Sequence, residues 1–405
     1  MTPDRSLRVV YYCLAPFLDH VASHVRALAR VCDLHVVFEV SPGAWAGNIL
    51  GLSTGGFEPG IQRVDSLVKS SLPIRAAEFF SGASLWYLTF PRLQSPGNLA
   101  SAAAMRGLLR TIRPNVIHID GDSPRAVLWQ MGTRVPVVVS VHEPRMPGTG
   151  WHLLRRLAKR TLIRRADHLL VFSDTARYLL TRRIRRPAAA ISVSPLCTKE
   201  VFREFGDVSL TEDVPPLILS VGWLTHRKGF DVLVAAAHTV ARKHPELRFV
   251  IGGRPGEDYE ALLPLVQRGP AQIELIERFL TPAELADLMR RAALVVLPYR
   301  EATQSGALLT AFAFDTPVIA SAVGGMREQI AHGATGVLVP PGDAGQLATA
   351  IAGAVEDHTA RERMRGRISH LRESELSADR FADTCRGIYL NLNHRSKSTP
   401  QQGLR

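Results

Sequence analysis

The chain is poor in cysteine, in aromatic residues and in long apolar runs. Its four cysteines, Cys13, Cys32, Cys197 and Cys385, stand far apart with no CxxC pair among 405 residues. That spacing argues against a zinc cluster and a structural disulfide framework, and it makes a reducing cytosol the expected compartment. No apolar stretch reaches the roughly 18 residues that crossing a bilayer requires. Residues 1–10 hold no long apolar segment before the first polar turn, so no secretory signal is expected. There is no GxSxG, which removes the commonest serine-hydrolase signature. The turn Gly252-Gly253-Arg254-Pro255-Gly256 is neither a Walker nor a Rossmann fingerprint.

What remains is 46% hydrophobic and 21% charged, the balance of a globular protein with sizeable cores. A chain of 405 residues is too long for one ordinary domain, so two are expected. The net charge of +12 is uneven. Eleven Arg or Lys fall within 151–186 against only Asp167 and Asp174. Such a patch favours an anionic surface, either the cytoplasmic leaflet or nucleic acid, although a solvated helix face has the same composition. Trp151, Leu154, Leu157, Thr161 and Leu162 fall on one helical face and Arg155, Arg156, Lys159 and Arg160 on the other, as in a helix lying on a membrane or on a domain surface. Nucleic acid is the weaker partner, because the patch lacks interleaved aromatics and any known reading motif.

Short β-branched or apolar runs at 7–12, 34–40, 115–120, 135–142, 168–173 and 190–194 alternate with helical patterns in the first half. The polar stretch 198–216, closing in Pro-Pro, reads as a linker. The alternation then resumes, with strands at 217–222, 247–253, 292–298, 317–321 and 336–339, and the polar end 393–405 reads as a disordered tail. This order predicts an α/β protein with two doubly wound parallel sheets, one in 1–197 and one in 217–392, the last helix packing back on the first domain. The cluster of aromatic residues at 79–90 interrupts the pattern and reads as core packing, with an apolar acceptor or membrane contact as the alternative.

Two stretches point to an anion. In the first, an apolar run stops at Gly222, the basic residues His226, Arg227 and Lys228 follow, and a helix with i, i+3, i+4 apolar spacing starts at Gly229. A glycine turn exposes backbone N–H groups, a helix start carries partial positive charge, and Lys228 adds a full one. In the second, a strand ends at Pro298, a polar loop carries Glu301, and Ser305-Gly306 opens an almost wholly apolar helix. Its N–H groups at Gly306 and Ala307 would aim at the same strand-end crevice. Either stretch alone is an ordinary strand-to-helix turn; together they suit a diphosphate. Weaker signals are Asp120-Gly121-Asp122, a DxD triplet that chance supplies about once in a chain this size, and His20 with His24, one helical turn apart but without a matched third metal ligand. His118, Asp120 and His142 all fall at or near predicted strand ends.

In these stretches the sequence resembles the family 4 glycosyltransferases, with the GT-B fold of two Rossmann-like domains facing a central cleft. Val221-Gly222, Arg227-Lys228-Gly229, Asp231 and Leu233 match that family's diphosphate loop; Phe249-Val250-Ile251-Gly252-Gly253 matches its nucleotide strand. Val295 to Pro298, Pro317 to Ala320, Gly324 to Glu328 and Thr335 to Val339 follow in the family's order, and Val137 to His142 matches the strand bearing the central histidine. The resemblance covers the second half well and the first loosely. It implies a retaining, metal-independent hexosyltransferase that needs no cofactor beyond its donor, a UDP or GDP sugar. The acceptor would be a hydroxyl in polysaccharide, glycolipid or lipid-linked glycan synthesis, at the inner face of the membrane. It further implies that His142, Lys228 and Glu301 act at the reacting centre. Gly222, Arg227, Gly253, Ser305, Gly306 and Ala307 would hold the phosphates, Thr310 the ribose, and the backbone at Phe279-Leu280 the base. Three departures stand out: Trp223 replaces the Arg after the loop glycine, Ala302 and Thr310 replace the two glutamates of an E-x7-E pair, and Leu14 to His20 replaces a glycine-rich turn. They motivate the alternative of a GT-B scaffold that binds a nucleotide or glycan without catalysis.

Overall fold

Pentads apolar except for one serine each, Leu217–Val221 and Val137–Val141, are buried at every position, as expected for parallel strands covered by helices on both faces. The computed structural model describes residues 4–41, 59–92, 95–121, 123–144, 153–206, 217–256, 258–270 and 272–398. The chain divides into two compact units, 1–197 with 378–405, and 198–377. The first unit is built on an eight-stranded sheet: β1 (Asp4–Leu14), β2 (Cys32–Val40), β3 (Gly60–Arg63), β4 (Ala83–Thr89), β5 (Val116–Asp120), β6 (Val137–Val141), β7 (His168–Val171) and β8 (Ile191–Val193). Their order is β3-β4-β2-β1-β5-β6-β7-β8, all parallel except the β3–β4 pair. The second holds six parallel strands: β9 (Leu217–Val221), β10 (Arg248–Gly252), β11 (Ile273–Ile276), β12 (Ala292–Leu297), β13 (Val318–Ser321) and β14 (Gly336–Val339), in the order β11-β10-β9-β12-β13-β14.

Three strands, β3, β4 and β11, were not expected from the sequence. β4 occupies the aromatic cluster, where Leu85, Tyr87 and Leu88 are buried between β2 and β3. A strand covered on both faces shows no alternation, so its pattern is masked. The boundaries also differ. The second unit begins at Thr198, and within the expected linker the 3-10 turn Glu200–Glu204 buries Val201 and Phe202. The last helix, Ala378–Ser398, belongs to the first unit and runs six residues into the expected tail, 393–398. The basic helix Leu153–Arg165 has a different phase from the expected one. Lys159 is buried, reaching the Glu143 carbonyl, while Leu157 is half exposed. Leu162, Ile163 and Ala166 pack in the core and set the rotation; Arg156, Arg160, Arg164 and Arg165 stay outside. Trp151 lies outside the described residues.

In each sheet the strand order reverses once, between β1 and β5 in the first unit and between β9 and β12 in the second. Crossovers leave such neighbours in opposite directions and put their helices on opposite faces, opening a crevice at the strands' carboxyl ends. In the second unit Phe230, Leu233 and Ala237 pack with Ile218 on one face, while Leu308, Ala311 and Phe312 pack with Leu217 and Leu219 on the other.

Candidate active site

In the second unit both expected anion cradles sit at this reversal. The helix Phe230–Ala241 follows β9 and the helix Gly306–Ala313 follows β12. Although the helices lie on opposite faces, the loops that precede them are joined. The Arg300 amide donates to the Arg227 carbonyl (2.9 Å), and its guanidinium donates to the His226 carbonyl (2.9 Å) and holds Asp231 through both Nη atoms (2.7 and 2.6 Å). Burial alone would raise the Asp231 carboxyl, but Arg300 outweighs that and lowers it. Backbone contact is equally close. A Cβ on Gly229, whose φ is +67°, would stand 1.9 Å from the Pro298 oxygen, and one on Gly253 would stand 1.6 Å from the Gly222 oxygen. Only glycine permits either approach.

Lys228 places its Nζ 3.7 Å from the centroid of the buried Tyr299 ring, a cation–π contact. Tyr299 in turn meets the Ser305 hydroxyl at 3.2 Å. Arg227 donates to the Glu301 carbonyl at 3.4 Å. Among the described residues neither cation has a carboxylate partner, whereas Arg300 beside them is neutralised by Asp231. Glu301 is exposed. The Phe279-Leu280 turn lies between β11 and a helix whose start is locked by the reciprocal Thr281–Glu284 cap. The Arg254 guanidinium lies 5.5 and 5.6 Å from the ring centroids of Phe279 and Trp223.

Two expected ligand groups are turned inward. Ser305 is buried as the helix N-cap, its oxygen accepting from the Leu308 amide (3.2 Å). Thr310 is buried and its hydroxyl donates to the Gly306 carbonyl (2.9 Å), the i−4 partner a mid-helix threonine finds when solvent is out of reach. The ribose role expected of Thr310 therefore does not fit its placement. Sequence reasoning missed Lys199, whose Nζ lies 2.9 Å from where a Cβ on Gly306 would be. It falls in the stretch expected to be a linker, and only folding brings it to that helix start.

The first unit has its own cluster at the β1/β5 reversal. His142, just past β6, bonds through Nε2 to Asp120 Oδ1 (2.6 Å) at the end of β5. Tyr11 of β1 donates to Asp120 Oδ2 (2.6 Å) and meets His24 Nδ1 at 3.2 Å. Phe17, His20 and Phe172 surround the His142 ring at centroid distances of 6.1, 5.7 and 4.6 Å. Burial alone would raise the Asp120 carboxyl, but His142 and His24 outweigh it and hold the group well below the usual carboxylate range. His118 is a core residue, not a strand-end ligand. Burial lowers it to about 3, and it joins Ser140 (2.7 Å) and Tyr389 (2.5 Å) of the last helix. Asp122, the second acid of the DxD triplet, lies outside the described residues.

Two doubly wound units, each on a largely parallel sheet, make the GT-B architecture. Residues 19–197 match the Glycosyl transferase 4-like domain and residues 215–357 match Glycosyl transferases group 1. The chain belongs to the group 1 glycosyltransferases of the family 4 type. Among curated relatives, alpha-D-kanosaminyltransferase of Streptomyces kanamyceticus is 28% identical over 298 residues, covering 68% of this chain and 76% of that one. D-inositol 3-phosphate glycosyltransferase of Kribbella flavida is 34% identical over 229 residues, covering 52% of this chain and 53% of that one. Sucrose-phosphate synthase from Thermosynechococcus elongatus superposes with a TM-score of 0.69 at 18% identity, covering 96% of this chain and all of that one. Anabaena HepE in complex with UDP superposes at 0.68 with 13% identity, covering 95% and 100%. At those identities the likeness speaks for the fold alone.

Proposed function

We propose that this glycosyltransferase takes a sugar from a nucleoside diphosphate donor and transfers it, with retention, to an acceptor hydroxyl. One observation carries the reading: among the described residues Lys228 and Arg227 have no carboxylate partner where the β9 and β12 loops are tied together. An uncompensated pair of cations, Lys228 partly buried and Arg227 exposed, stabilises an anion that gains charge as the reaction proceeds, which is how fixed donors lower a barrier. The sugar C1–O bond breaks with its electron pair going to the diphosphate. The acceptor oxygen bonds to C1 from the same face, and its proton passes to the leaving phosphate oxygen. Lys228 and Arg227, with the N–H groups at Gly306 and Ala307, meet the developing charge, and this cationic cradle does the work a metal would otherwise do. The Gly222 turn admits the phosphates closely, with Gly253 packed behind it against the Gly222 carbonyl. The base lies against the Phe279-Leu280 backbone. Glu301, which is exposed, and His142, which is partly buried, each bind a sugar hydroxyl. UDP or GDP as the nucleotide, a hexose as the sugar, and a glycan or lipid-linked acceptor belong to this proposal. UDP is the nucleotide named for Anabaena HepE.

Lys228→Ala is expected to lower turnover about 10²–10³-fold, the size of losing one oxyanion donor, with the fold unchanged by circular dichroism. Turnover equal to the parent's would sink the assignment. The alternative, a scaffold that binds without catalysis, is favoured by the replacement of the family's Arg by Trp223. Hydrolysis of any nucleotide sugar by the purified protein, abolished in Lys228→Ala, would exclude it.

A further inference from the structure

We propose that Asp120 is a positioning residue that fixes which nitrogen of His142 carries the proton, so that His142 meets a sugar hydroxyl as a hydrogen-bond acceptor. This rests on the reading of His142 given above. Asp120 is 4% exposed and held ionised, so both of its oxygens can only accept. Oδ1 faces His142 Nε2 at 2.6 Å, and the Nε2 atom must therefore be the donor. Oδ2 receives the Tyr11 hydroxyl at 2.6 Å, and His24 Nδ1 backs the Tyr11 oxygen at 3.2 Å, so the carboxylate cannot swing away. With Nε2 as the donor, the singly protonated form of the ring carries its lone pair on Nδ1, and among the described residues Nδ1 has no hydrogen-bond partner. The His142 side chain is 24% exposed, enough to admit one small polar group, and Phe17, His20 and Phe172 hold its plane. A nitrogen acceptor of fixed direction among rings fits the O–H of a carbohydrate and rejects a carbonyl or phosphate oxygen, which has no proton to offer.

Asp120→Asn tests the idea because Tyr11 selects the amide's orientation. The Tyr11 hydroxyl needs an acceptor, so the Asn oxygen turns to it and the NH2 turns to His142. Nε2 must then accept, and the ring proton moves to Nδ1. Nitrogen-15 NMR of the histidine rings is expected to show His142 protonated on Nε2 in the parent and on Nδ1 in Asp120→Asn. A parent ring protonated on Nδ1, alone or together with Nε2, or a variant unchanged from the parent, would overturn the proposal. Kinetics supply the second arm. Asp120→Asn is expected to lower kcat/KM about 10–100-fold, the cost of one lost hydrogen bond with a polar atom left unpaired. His142→Gln offers an amide oxygen that needs no tautomer control, so adding Asp120→Asn to it is expected to cost less than about twofold. An equal penalty in both backgrounds assigns Asp120 a purely structural role and rejects the positioning one. If His142→Gln alone turns over like the parent, the role of His142 fails while the NMR result still decides the hydrogen-bond arrangement.

Discussion

The first unit buries the Asp120 carboxylate together with the His24 ring, almost without water. Burial works against the charged form of His24, but the Cys197 sulfur and the Asp120 carboxylate outweigh it and raise His24 to about 10. Its ring also stacks on Phe381 with centroids 3.7 Å apart. A histidine raised in the folded state adds stability that is fully present below its ordinary value of 6.5 and is lost as pH climbs through about 10. Asp120, lowered on folding, adds stability above the usual carboxylate range that disappears only in strong acid. The thermal midpoint is therefore expected to fall between pH 6.5 and 10 by more in the parent than in His24→Gln. Parallel curves for the two proteins over that window would show that His24 is neutral in the folded state.

At the scale of elements, the second unit depends on a tie between two loops rather than on either loop. Arg300 follows β12 and Asp231 begins the helix after β9, so their bidentate pair spans the sheet reversal. Such a fork is stronger than an ordinary surface pair, and both side chains are more than two-thirds buried. Asp231→Ala frees Arg300 and lets the Arg227-Lys228 turn move, and it leaves an extra uncompensated cation near the cradle. Loosening should dominate, because catalysis and tight binding need donors held in place. Nucleoside diphosphate binding is expected to weaken about tenfold, near 1.4 kcal/mol, by calorimetry. Affinity equal to or above the parent's would show that the cations, not their spacing, control binding.

At the scale of the whole molecule, charge is the feature that the fold leaves unexplained. No helix among the described residues is long and apolar enough to cross a membrane. The helix Leu153–Arg165 nonetheless exposes Arg156, Arg160, Arg164 and Arg165, with the apolar Leu157 51% exposed between them. The protein is expected to bind vesicles containing anionic lipid at low salt and to release them as ionic strength screens the charge. Reversing Arg156 and Arg160 to Glu should abolish that binding and leave transfer to a soluble acceptor intact. Binding that survives both the substitutions and high salt would move the contact elsewhere.

The sequence by itself determined the class of fold and which two strand-to-helix loops stand at the reversal of the second sheet. Alternation of apolar runs with helical periods is a local signal, and the pairs Gly222 with Lys228 and Pro298 with Gly306 are each continuous in the chain. The short-range chemistry of a glycine turn before a helix needs no partner to be recognised. Only the tertiary structure decided which polar groups face inward and which remain open. Ser305 and Thr310 have the right chemistry for a ligand, but helix packing directs both hydroxyls to backbone. Lys199 reached the second cradle from a stretch with no motif, and Asp120 became the partner of His142 across 22 residues. β4 stayed hidden because a strand buried on both faces has no periodicity to display. Periodicity and turns report backbone state, whereas side-chain direction is set by neighbours that are distant along the chain.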